Sequence, residues 1–187
     1  MANVNHSTLT DPYLHEPKGV ASASSGDVYI SNGSGSGVWT QNHRHVGGHI
    51  TFSTGSPYAH STTTSDTALN PTFNLIDNNG FTGLASPNAR IRYDGSESIS
   101  TAITFTASIQ QSSGGDKQVE LVIYKNGVAL SGSRVVATAA TGAWNQITSA
   151  FNTTLNTNDY VEVFVKADAA ATINFASAYL RITGVPS

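Results

Sequence analysis

The chain has 187 residues, no cysteine, 39% hydrophobic and 11% charged side chains, and a formal net charge of -3. That length supports one domain with an extension. The lack of cysteine excludes disulfides, thiolate metal sites and thiol catalysis, and the faintly acidic balance offers no basic field to a phosphate backbone, so no nucleic-acid partner is expected.

The start, Met1-Ala2-Asn3-Val4-Asn5-His6, has neither a cationic nor an apolar leader region, and no run approaches a membrane span in length. Synthesis in a cytosol and no membrane partner are therefore expected. Residues 1–19 scatter single apolar side chains (Val4, Leu9, Tyr13, Leu14) among polar ones with no helical or strand period. Asp27-Val28-Tyr29-Ile30 then reads as a short strand, Asn32 to Gly37 as a turn, and Val38-Trp39-Thr40-Gln41 as a returning strand. Two short strands around an Asn-Gly turn predict a hairpin at about 27–41. A lone hairpin is marginal in water and residues 1–26 bury too little to order themselves, so they are expected to be either a disordered leader or part of an arm, residues 1–48, that orders against a partner. The dispersed apolar anchors and Trp39 favour the arm.

From residue 49 the pattern alternates with a period of two. Strands are predicted at 49–53, 71–76, 89–93, 101–110, 117–124, 133–137, 144–151, 160–166 and 172–182. Gly, Pro, Asn and Asp clusters separate them. Short strands at this spacing, without a strong helical segment, argue for an all-β antiparallel sandwich over residues 49–187. Its predicted core is Ile103, Phe105, Ala107 and Ile109, with Val119, Leu121, Ile123, Ile147, Phe151, Val161, Val163 and Val165. The last strand is apolar on both faces, with Ile173, Phe175 and Tyr179 on one and Ala176, Ala178, Leu180 and Ile182 on the other. Such a strand is either central in a sandwich or covered by another subunit.

No catalytic motif emerges. Gly33-Ser34-Gly35-Ser36-Gly37 does not fit Gly-x-Ser-x-Gly in any frame, and it does not open a helix. The four glutamates (Glu16, Glu97, Glu120 and Glu162) give no paired-carboxylate signal, and the two on strands read as solvated charge. Neither an enzyme nor a cofactor is expected. All six histidines lie in the first 60 residues. His43 and His45 have the His-x-His spacing that puts both imidazoles on one face of an extended strand. They are either polar side chains at the arm–domain junction or, repeated around a three-fold axis, a six-imidazole metal site. A cluster of His6, His15, His43, His45 and His49 in an arm would also make attachment pH-sensitive.

Three segments in order resemble the C1q and tumour-necrosis-factor-like jelly-roll family: Val119-Glu120-Leu121-Val122-Ile123-Tyr124-Lys125-Asn126-Gly127, Leu155-Asn156-Thr157-Asn158-Asp159-Tyr160-Val161-Glu162-Val163 and Asn174-Phe175-Ala176-Ser177-Ala178-Tyr179-Leu180. Asn158 stands where that family usually has glycine, and the last segment lacks the family's glycine and second phenylalanine. The resemblance implies a homotrimer with Tyr160, Phe164, Phe175 and Tyr179 around the axis; the alternative is that these side chains fill the sandwich of a monomer.

The leader, with Leu14-His15-Glu16-Pro17-Lys18-Gly19-Val20, and the stretch Gly26 to Trp39 resemble structural proteins of tailed bacteriophages. That resemblance implies a virion protein made in the host cytoplasm, whose arm (Leu9, Tyr13, Leu14, His15, Glu16, Pro17, Lys18 and Trp39) binds the major capsid protein as a decoration, or cement, trimer. The other reading is a fibre tip whose loops at 112–116 and 131–133 bind a receptor or a host-surface glycan. Deleting residues 1–26 is expected to leave a folded trimer that no longer binds the particle.

Overall fold

The computed structural model describes residues 23–24, 27–31, 33–34, 37–41, 46–52, 57–85 and 89–186. The expected arm residues Leu9, Tyr13, Leu14, His15, Glu16, Pro17 and Lys18, with His43 and His45, lie outside the described residues. The chain divides into two compact units, Met1–Arg44 and His45–Ser187.

In the first unit, β1 (Asp27–Ser31) pairs antiparallel with β2 (Gly37–Gln41). The rings of cross-strand partners Tyr29 and Trp39 pack with centroids 5.3 Å apart, tilted at 58°, and both are half-buried. A side chain at Gly37 would collide with the Ile30 carbonyl, so the ribbon closes only with glycine there. Asp27 fixes the entry to β1 by accepting the Ser24 N–H at 2.7 Å.

The second unit holds thirteen further strands: β3 (Val46–Phe52), β4 (Tyr58–Thr62), β5 (Thr67–Ala68), β6 (Phe73–Asn79), β7 (Phe81–Leu84), β8 (Arg90–Tyr93), β9 (Ile99–Gln111), β10 (Lys117–Lys125), β11 (Val128–Ala129), β12 (Val135–Ala139), β13 (Asn145–Leu155), β14 (Tyr160–Ala167) and β15 (Ala171–Pro186). One sheet runs β13-β9-β15-β3-β6, with β4 also on β15. The other runs β11-β10-β14-β8-β7, with β12 on β10 and β5 on β14. All these strand pairs are antiparallel. Consecutive long strands alternate between sheets, as from β9 to β10, β12 to β13, β13 to β14 and β14 to β15. The result is an antiparallel jelly-roll sandwich.

The inward phase of the long strands makes the core. Ile103, Phe105, Ala107, Ile109, Val119, Leu121, Ile123, Ile147, Val161, Val163 and Val165 are all buried, as their alternation requires. Phe151 packs against this core while staying partly exposed. At β3, a side chain on Gly48 would come within 3.0 Å of Phe81 and Ile91 on the facing sheet. The sandwich is therefore thin there, and glycine permits the approach.

Several expectations need correction. The sandwich begins at Val46, so β3 takes residues expected in the arm, and His49 stands in the sheet with its ring 5.4 Å from Tyr179. Strands β4 and β7 were not expected, because neither shows an apolar alternation. In β4 the inward side chains are His60 and Thr62, at 7% and 2% exposure, and both are hydrogen-bonded. Residues 131–133 form a single 3-10 turn, and the strand expected at 133–137 lies at Val135–Ala139. The two apolar faces of β15 come from a bulge. Ala176 pairs with Ser108 but Tyr179 with Thr106, so one extra residue enters at Ser177, whose φ is 50°. The bulge exchanges the faces. Ile173 and Phe175 before it, and Ala178, Leu180 and Ile182 after it, all point into the same core.

His60 joins the two sheets. The Thr67 hydroxyl donates to the Val165 carbonyl at 2.9 Å, so it accepts from His60 Nε2–H, also at 2.9 Å. Nδ1 then accepts from the Tyr58 hydroxyl at 3.3 Å, and that oxygen receives the Asn70 N–H. The chain of bonds suits a neutral imidazole, and burial lowers its pKa from the usual value.

Candidate interaction surfaces

The two outer faces of the sandwich differ in chemistry. On the seven-stranded sheet, Tyr160, Glu162, Phe164 and Lys166 of β14 alternate with the inward valines and meet Tyr124 and Glu120 of β10. Tyr124 and Phe164 stack at 3.9 Å. The Tyr124 hydroxyl donates to Asp66 at 2.9 Å, and Arg134 bridges Asp66 at 2.8 Å and Glu120 at 3.0 Å. Lys166 completes the ladder 3.2 Å from Glu120. The Arg134 hydrogen bond is the main reason the Asp66 carboxyl is held below the ordinary carboxylate range. The Arg90 guanidinium lies 4.5 Å over the Tyr160 ring, and Glu162 is only 3% exposed. Most of the charges and rings named on this face thus find partners within the chain.

The outer face of the six-stranded sheet is the opposite. On three of its strands the outward residues are Ala102, Thr104, Thr106, Ser108 and Gln110 on β9, Gln146, Thr148, Ala150, Asn152 and Thr154 on β13, and Asn174, Ala176, Tyr179, Arg181 and Thr183 on β15. Among them only Arg181 carries a formal charge. Thr106 and Thr148 hydroxyls lie 2.6 Å apart in mid-face, and Gln146 donates to Thr106 at 3.3 Å. At one end is a shallow depression of about 290 Å³ edged by Ser100, Ala102, Asn152, Thr183 and Val185.

The four residues expected around a three-fold axis therefore do not share one surface. Tyr160 and Phe164 belong to the outer face of the seven-stranded sheet, Phe175 fills the interior at 3% exposure beside Tyr58 and His60, and Tyr179 stands on the outer face of the six-stranded sheet at 36%. The Ser177 bulge separates the last two.

The loops differ from expectation too. Ser133 is buried, accepting the Ile123 N–H and donating to the Leu130 carbonyl, so it is part of the frame. Loop 112–116 is tied to Thr141 through Asp116 and Gly114. Trp144, read from sequence as the start of a strand, precedes β13 and is 44% exposed. Its position beside Thr141-Gly142-Ala143 was the only signal available, and alternation alone does not report it. Among the described residues no cluster of three metal-binding side chains occurs, and no helix is long and apolar enough to cross a membrane.

No family model matches the sequence, and comparison with curated proteins finds no match. Among solved structures the chain is similar to Eiger TNF from S. frugiperda, at 10% identity over 75% of this chain and 92% of that one, with a TM-score of 0.47. It is similar to murine APRIL at 13% identity, covering 75% and 99%, with a TM-score of 0.47. The infectious bursal disease virus Gx strain structure matches at 12% identity and a TM-score of 0.42, over 82% of this chain and 37% of that chain. These are remote likenesses, and the jelly-roll assignment rests on the strand pairing itself.

Proposed function

We propose that the chain is a structural subunit of a virion, a homotrimeric decoration protein whose N-terminal unit binds the major capsid protein while the jelly roll projects from the head. The observation that carries the reading is the charge-poor outer face of β13, β9 and β15 in the six-stranded sheet. These three adjacent strands of 11 to 16 residues give a face of about 40 by 14 Å, or roughly 600 Å². That is at the lower end of what each partner contributes to a standard stable interface. Depletion of charge marks the core of such interfaces, and the hydroxyls and amides of this face can pair across it. Self-association through this face replaces the sequence-based expectation of Tyr160 and Phe164, whose rings already have partners in the same chain.

Attachment rests on the phage-like leader and on the division after Arg44. Three arms on one trimer act at high effective concentration, so modest contacts per arm suffice for tight binding. The test is deletion of residues 1–26. The expected product is a folded trimer by light scattering that no longer co-sediments with capsids; retained co-sedimentation contradicts the reading.

Trp144 favours a second reading, a fibre tip that stacks a sugar ring on an exposed indole. In that case Trp144→Ala abolishes adsorption to host-surface glycan while leaving particle occupancy unchanged. On the decoration reading the same variant changes neither.

A further inference from the structure

The β1–β2 ribbon is apolar on both faces. Tyr29 and Trp39 share one face, while Ile30 pairs with Val38 on the other, with Val28 beside them. Val28, Ile30 and Val38 are 37%, 48% and 63% exposed. A two-stranded ribbon cannot cover both of its faces, and three neighbouring aliphatic side chains left in water favour an occupant. We infer that the Val28/Ile30/Val38 face docks against the same face of the hairpins of sister copies, so that three ribbons close a small aliphatic core of their own. This inference rests on the trimer reading above.

Size and chemistry select that occupant. Two five-residue strands present a face of only about 16 by 10 Å, a fifth of what one partner gives to a standard interface. A separate protein meeting this patch from solution would not be held by it. A copy already tethered in the same trimer would be, because its effective concentration is of millimolar order. No charge lies among Val28, Ile30 and Val38 to oppose an identical surface, and a face repeated around a symmetry axis must tolerate itself.

Cysteine cross-linking tests this cleanly, because the chain has no cysteine. Full-length Ile30→Cys and Val38→Cys are each treated with a short bismaleimide, with Val128→Cys, 67% exposed on the sandwich, as control. Covalent dimers from the two hairpin variants, at protein concentrations where the control stays monomeric on denaturing gels, are the expected result. A trimer by light scattering that yields no hairpin cross-link overturns this inference and leaves the trimer reading intact. A monomer by light scattering overturns both. Removing residues 1–22 is expected to leave the cross-link unchanged; a cross-link that forms only after that removal would make the chain's own leader the occupant and contradict the inference. The Ile30→Ser/Val38→Ser variant is expected to raise the trimer's dissociation midpoint by about tenfold or more.

Discussion

His60 is neutral in the folded chain because its two ring nitrogens have opposite duties, Nε2 donating to Thr67 and Nδ1 accepting from Tyr58. Protonation turns Nδ1 into a donor facing a hydroxyl that already donates to it, and burial further disfavours the charge. The folded-state pKa lies below the unfolded value of about 6.5, so the unfolded chain binds more protons as pH falls through that region. Stability contributed by this site is complete above about pH 6.5 and is lost as pH falls toward the folded pKa. A thermal-unfolding series from pH 7.5 to 5 should show this decline in the parent chain and a shallower one in His60→Gln. Equal slopes would remove His60 from the account. Asn158 is the second informative residue. Its φ of 70° is the left-handed conformation that glycine adopts freely and that asparagine tolerates. Asn158→Gly should be nearly neutral in urea unfolding and Asn158→Ala should cost about 1 kcal/mol.

At the scale of elements, β15 shows what a bulge does to a strand. The residues on either side of Ser177 lie on opposite phases by counting, yet they enter one core. Leu180→Ala therefore empties a buried site at 1% exposure and should cost about 2–5 kcal/mol. Arg181→Ala, one residue on and outward, should stay within about 0.5 kcal/mol. Equal costs in denaturant unfolding would contradict the assigned phase. The long strands were legible because aliphatic alternation over eight or more residues has one physical meaning. Their core faces, from Ile103 to Ile109 and from Val161 to Val165, followed directly. The bulge was not legible, since a positive φ at a serine leaves no mark in composition. Strand β4 escaped because its inward residues are polar and satisfied by hydrogen bonds. The proposed interaction surface was hardest to read. Tyr160 and Phe164 do face outward, but their burial against Arg90 and Tyr124 depends on neighbours that the topology brings from other strands.

For the whole molecule, the proposed trimer turns on the contrast between the two sheet faces. A charge placed in mid-face, as in Ala150→Glu, would be buried without a partner in the proposed trimer, at a cost of several kcal/mol. Light scattering should find that variant monomeric, whereas Val136→Glu, 59% exposed on the seven-stranded sheet, should remain trimeric. The low charge of the chain fits dense repetition, since neighbouring copies on a particle repel weakly. Imaging of a particle that carries the chain separates a head-bound trimer from the other arrangements. Three-fold projections on the head are expected, with residues 1–26 against capsid subunits and the six-stranded sheets facing the local axis. Copies confined to the tail, or single sandwiches without three-fold contacts, would contradict the proposal.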